Sequence, residues 1–142
     1  MENEQLEETA ARLRRSVTRL NRRLRQNSLA DVSPAQASML ATIEKLVKPT
    51  LGDLAKAEQI QPPSVTRLVQ SLVDASLCSR TVDEHDRRAH RVELTAQGRK
   101  ELQSIRRKKT VWLSSRLEEL TTPEQKKAAE LATLLEKILG ES

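Results

Sequence analysis

Ser64, Thr66 and Arg67 fall within four residues of one another, and Gln70 and Ser71 follow one helical turn later. Hydroxyls can donate to phosphates or base edges, and a guanidinium can grip a guanine or a phosphate with two parallel hydrogen bonds. The same hydroxyls would serve equally well as helix caps or solvent contacts. A second charged group, Asp86-Arg87-Arg88, lies about twenty residues further on. Other chemistry finds little support. Three glycines form no phosphate-cradling loop, and no nucleophile, base and orienting acid can be nominated by motif, so an enzyme is not expected. His85, His90 and the single cysteine, Cys78, lack ligand spacing, so neither a metal nor another cofactor is expected. Cys78 reads as a small buried apolar residue and not as a redox sensor.

Charge narrows the field. The 142 residues carry 25 Lys and Arg against 20 Asp and Glu, a formal net charge of +5 that suits a polyanionic partner. Between Thr9 and Ala30 stand seven arginines and no acid, and Arg80, Arg87, Arg88 and Arg91 form a second cluster. No apolar run approaches the roughly 20 residues that span a bilayer, and the acidic start lacks a signal-peptide core, which predicts a cytoplasmic protein without membrane contact. With Phe and Tyr absent and Trp112 the only aromatic, the core must come from Leu, Val, Ile and Ala, a composition that favours helices.

Periodicity supplies the elements that must hold these residues. Leu6, Ala10, Leu13, Val17, Leu20 and Leu24 recur at spacings of three and four, the stripe of an amphipathic helix with a basic back. Ser33-Pro34 reads as a cap with proline in the first turn, and a second helix follows to about Leu46, with Met39, Leu40, Ile43 and Leu46 facing inward. Thr50 can cap a short third helix ending near Glu58. A fourth starts at Pro62 or Pro63, where the missing amides would be unpaired anyway, and buries Val65, Leu68, Val69, Leu72 and Val73. Pro63, Ser64, Thr66, Arg67, Gln70 and Ser71 fall on its other face or at its start. Cys78 to Val82 and His90 to Leu94 read as the strands of a hairpin with a charged tip. Thr95 to Gly98 opens a fifth helix, with Leu102, Ile105, Trp112, Leu113, Leu117 and Leu120 broadly inward. Thr122-Pro123-Glu124 restarts a last one that Gly140 stops.

Helix, tight turn, helix and hairpin in this order resemble the MarR family of bacterial transcriptional regulators. The resemblance is carried by Pro63-Ser-Val-Thr-Arg-Leu-Val-Gln-Ser-Leu72, Cys78-Ser-Arg80, Asp83-Glu-His-Asp-Arg-Arg88 and Val92-Glu-Leu-Thr-Ala-Gln-Gly98. It covers Pro34 to Gly98 well, while the flanking helices match in length and amphipathic character. The resemblance implies a mainly α fold with a small β-hairpin wing, a winged helix-turn-helix over 34–95, within one domain spanning 1–142. Helices over 5–27 and 98–140 would join two copies. It further implies a sequence-specific regulator, usually a repressor, that binds double-stranded DNA at a pseudo-palindromic operator as a homodimer. Ser64, Thr66 and Arg67 would enter the major groove, Arg88 the minor groove, with Thr50, Pro63, Gln70, Ser71 and Arg87 beside them and Asp86 organising the wing.

Two departures stand out. Ser76-Leu77-Cys78 occupies the place where such regulators commonly carry Gly-Leu-Val, which predicts a slightly different helix end, and the double proline at 62 and 63 is unusual. Resembling regulators often respond to a small molecule held between dimer helices and winged body. With Trp112 as the only ring, the sequence does not name that effector. A sequence-independent RNA binder built on the arginine-rich first helix would want exposed aromatics for stacking, which are missing. A winged helix serving only to bind proteins would not need Arg67 and Arg88 where they stand.

Overall fold

The computed structural model describes residues 1–28 and 30–141. Among them are six helices and one hairpin: α1 (Asn3–Gln26), α2 (Pro34–Leu46), α3 (Leu51–Glu58), α4 (Pro62–Asp74), β1 (Cys78–Val82), β2 (His90–Leu94), α5 (Ala96–Glu118) and α6 (Thr122–Ile138). Local chemistry explains most of the boundaries. Ser33, Thr50, Thr95 and Thr121 each accept a backbone N–H from the first turn of the helix they precede, and Pro34, Pro62 and Pro123 sit where no helical donor is lost. The first helix starts earlier than its apolar stripe suggests, because Glu2 and Gln5 form a reciprocal cap at its end.

α2, α3 and α4 pack on one another and on the hairpin, and α5 adds Leu102 to the same apolar centre. Met39, Leu40, Leu54, Val65, Val69, Leu72 and Val92 are fully buried there, joined by Ile43, Leu77, Cys78, Leu94 and Leu102. Leu68 and Val73 are only partly buried. Leu46, expected inward, is 40% exposed. It ends α2 just before Val47 and Lys48, whose left-handed φ of 53° and 52° turn the chain away from the core. β1 and β2 pair antiparallel from Cys78 opposite Leu94 to Val82 opposite His90.

The end of α4 is set by Ser76, at φ 62°. Leu77 N–H donates to Leu72 O at 2.9 Å, closing the helix with the turn that usually uses glycine at this place. The predicted change of helix end is therefore not seen: serine takes the left-handed conformation itself. Thr95 fastens the same turn to α5. Its hydroxyl donates to Ser76 O at 2.6 Å and its N–H to Leu77 O at 3.0 Å. Gly98 lies so near that an added Cβ would meet Leu77 O at 2.0 Å, which is the physical need for glycine at the end of Leu94-Thr-Ala-Gln-Gly98.

α1 and α6 contain no buried residue. In α5 the apolar residues fade outward: Leu102 and Ile105 are buried, Trp112 and Leu113 half-buried, and Leu117 exposed, as is Leu120 just beyond it. The broadly inward placement expected of Leu117 and Leu120 is not met within one chain.

Candidate nucleic-acid interface

α4 presents Pro63, Thr66, Arg67 and Gln70 to solvent, and Ser64 half so. Because Pro62 and Pro63 lack amide hydrogens and the N–H groups of Ser64 and Val65 already donate to Gln61 O, the start of this helix keeps few donors for an anion. Its side chains must supply them. Arg67 has no acid partner among the described residues, so its guanidinium keeps all its donors for a ligand. Thr66 donates its hydroxyl proton back to Pro62 O at 3.1 Å and so is set to accept, which suits a base amino group better than a phosphate. Gln70 is held between Asp74, to which its amide donates at 2.9 Å, and Arg80, from which its carbonyl accepts at 3.1 Å.

Ser71 does not join this surface. Half-buried, it accepts from the Gln36 side chain at 3.1 Å and donates to Leu68 O at 2.6 Å. Gln36 also accepts from Ser33 N–H, so Ser71 belongs to the link between the cap of α2 and α4. Thr50 is likewise occupied as the cap of α3: its hydroxyl accepts from Asp53 N–H at 3.1 Å, and its own N–H donates to the Asp53 carboxylate at 3.0 Å. That bond, with the Thr50 hydroxyl, holds the Asp53 pKa below the ordinary carboxylate value.

In the wing, Asp86 accepts from Arg88 N–H at 3.0 Å, a tight turn bond of the organising kind expected of it. The Arg88 side chain is 98% exposed and only loosely paired with Asp86, at 3.9 Å. Arg87 is exposed with no acid partner among the described residues. Arg91, by contrast, is not a free cation of the basic cluster. It grips the Asp83 carboxylate with two nitrogens at 3.1 and 2.9 Å and donates to Lys48 O at 3.0 Å. The His85 N–H and the Arg91 guanidinium together hold the Asp83 pKa low. Val92 N–H donates to Pro49 O at 2.9 Å and Thr50 bridges Arg91, so the turn after α2 is stitched to the edge of the hairpin. Sequence reasoning misses Asp83 and Arg91 as a wing clamp. The usable signal is an acid just past β1 facing a base near the start of β2.

Cys78 is buried, and burial pushes its thiol pKa up to about 11, which makes it a poor nucleophile. Among the described residues no group of three or more His, Cys, Asp or Glu could hold a metal, and no helix is long and apolar enough to cross a membrane. Trp112 is half-buried with the Arg116 guanidinium 5.3 Å from its ring centre. Nearby, the end of α1, the start of α2 and α5 enclose a cleft of about 410 Å³, whose walls include Arg25, Ser33, Ser38, Arg106 and Lys109.

The model of the MarR family matches residues 32–90. An HTH-type transcriptional regulator of Mycobacterium tuberculosis is 34% identical over 134 residues, 94% of either chain, and a Mycobacterium bovis counterpart gives the same values. The fold of a transcriptional regulator protein from Pseudomonas aeruginosa superposes with a TM-score of 0.85 at 29% identity, covering 99% of this chain and 100% of that one. A MepR variant of S. aureus, solved bound to an oligodeoxyribonucleotide, shares the fold with a TM-score of 0.72 at 22% identity, over 92% of this chain and 97% of that one. The helix pair α3–α4, the stitched wing and the relatives together define a transcriptional regulator with a winged helix-turn-helix DNA-binding fold. The chain belongs to the MarR family.

Proposed function

We propose that two copies of this chain bind a pseudo-palindromic operator in double-stranded DNA and repress transcription from it. The observation that carries the reading is the contrast among the basic residues: Arg67 and Arg87 have no internal acid partner among the described residues and Arg88 is almost fully exposed, whereas Arg91 is spent on the wing. Arg67 and Thr66 would read base edges in the major groove, with Ser64 and Gln70 at its borders. Arg88 would enter the minor groove and Arg87 would meet phosphate. Pro63 would bring the backbone of α4 against the groove edge, and the structural duties of Thr50 and Ser71 leave them at most flanking parts.

Dimerisation is supported by the uncovered stripes of α1 and α6, in which Leu6, Val17, Leu131, Leu134 and Ile138 are all exposed. One domain over 1–142 would then divide its labour, with 34–95 on DNA and the helices within 5–27 and 98–140 holding the second copy. The cleft bordered by Arg25 and Lys109, with Arg106 beside them but paired to Glu44 at 2.8 Å, would take a small-molecule effector whose binding shifts the winged body against the dimer helices. Fluorescence anisotropy on a selected operator tests the reading. Arg67→Ala should lose about 1–3 kcal/mol and relax base preference, and Arg88→Ala should weaken binding with the fold intact. Equal affinity of the unaltered protein for operator and scrambled duplex at physiological salt would reject it.

A further inference from the structure

The seven arginines of α1 are unexplained by packing, by ion pairing or by the helix and wing. Arg12, Arg14, Arg15, Arg19, Arg22, Arg23 and Arg25 are all exposed. None has an acid partner among the described residues. At 3.6 residues per turn they occupy one arc of about 180° around the helix, opposite the stripe of Leu6, Leu13, Val17, Leu20 and Leu24. Leu13 and Leu24 are half-buried against the chain's own body, while Leu6, Val17 and Leu20 are the exposed part of the stripe that a second copy would cover. The arginine face therefore stays in water in both cases. Like charges three and four residues apart disfavour the helix, so the sequence keeps this face at a cost.

The choice of residue is equally pointed. α1 holds seven of the 16 arginines in the chain and none of its nine lysines. Solubility needs no such choice, since lysine serves it as well. Bidentate gripping of phosphate does need it, because the planar guanidinium matches two phosphate oxygens. From Arg12 to Arg25 the helix rises about 20 Å, long enough to reach across a major groove about 12 Å wide and meet the phosphates on both of its edges. α1 carries no aromatic on which a single-stranded base could stack.

We propose that the arginine face of α1, centred on Arg15, Arg19 and Arg22, is a second binding surface of this protein, one that takes the phosphate backbone of duplex DNA regardless of sequence. The proposal rests on the reading of the chain as a DNA-bound regulator, which raises the local concentration of duplex around α1. It adds affinity without base preference, and a strong dependence on salt.

The test compares the full-length protein with the variant Arg15→Gln, Arg19→Gln, Arg22→Gln on a mixed-sequence duplex, measuring affinity across a salt series. The slope of log affinity against log salt should fall by about 0.9 for each phosphate that the variant no longer neutralises, so by about 2 or more for two copies. Preference for operator over scrambled duplex should stay as it was. An unchanged slope overturns the proposal. So does a loss of dimer mass in the variant, which would assign the face to contact between copies, and so does a larger loss on single-stranded RNA than on duplex. Should the triple variant fail to fold, Arg19→Gln alone carries the same expectation at about 0.9 per phosphate per copy. Failure of the parent reading looks different: the unaltered protein would then show no operator preference at any salt concentration.

Discussion

Leu72 in α4 and Leu134 in α6 are the same side chain on helices of similar length, yet the first is fully buried and the second is 55% exposed. The contrast holds for their surroundings. From Pro34 to Leu94 the chain closes a core of its own, with Met39, Leu40, Leu54, Val65, Val69, Leu72 and Val92 out of reach of water. α1 and α6 bury nothing completely. The winged body thus carries its stability within one chain, and the terminal helices keep apolar surface that the proposed second copy would bury, at about 25 cal/mol per Å². One region is a finished unit and the other is left uncovered within its own chain.

The sharpest way to break this division is at the junction of the two regions. Gly98→Ala drives a Cβ into Leu77 O, a backbone atom that cannot rotate away, and should cost about 3 kcal/mol in chemical denaturation. A loss near zero would mean that α5 can slide off the winged body. Next comes the leucine pair. Leu72→Ala should lower stability by about 2–5 kcal/mol at every protein concentration. Leu134→Ala should leave the dilute chain nearly unchanged and appear in sedimentation as a larger fraction at the 16.0 kDa mass of one chain. If both act alike at all concentrations, α6 is covered within its own chain and the contrast fails. The smallest effect belongs to Ser76→Gly, which relieves the left-handed φ of 62° and should raise the unfolding free energy by up to about 1 kcal/mol. No gain would show that the serine is unstrained there.

Much of the molecule is legible in the sequence because it depends on neighbours along the chain. Ser33-Pro34, Thr50 and Thr95 announce helix starts through residue types that satisfy the first free amides, and the alternation from His90 to Leu94 announces a strand. What escapes depends on partners brought together only by folding. Ser71 lies near the outward face of α4, but Gln36, 35 residues away, turns its hydroxyl inward. Arg91 looks like one more cation of the wing, but the hairpin register sets it against Asp83 and the turn after α2 brings Lys48 O within reach. The exposure of Leu117, Leu120 and Leu131 is hidden for the opposite reason: an apolar stripe tells that something covers it, not which chain does.

The stitching of Arg91 and Val92 to Lys48 and Pro49 has a mechanical consequence. These bonds join the hairpin to the start of α3, which makes the wing a braced flange more than a flap held only by its own turn. Within one winged body, then, the strand that leads back from the wing tip is tied to the turn before α3, while the 98% exposed Arg88 side chain stays free to turn. In the proposed dimer the separation of the two winged bodies is then the quantity left to adjust, and a signal that changes that gauge would loosen the grip on DNA.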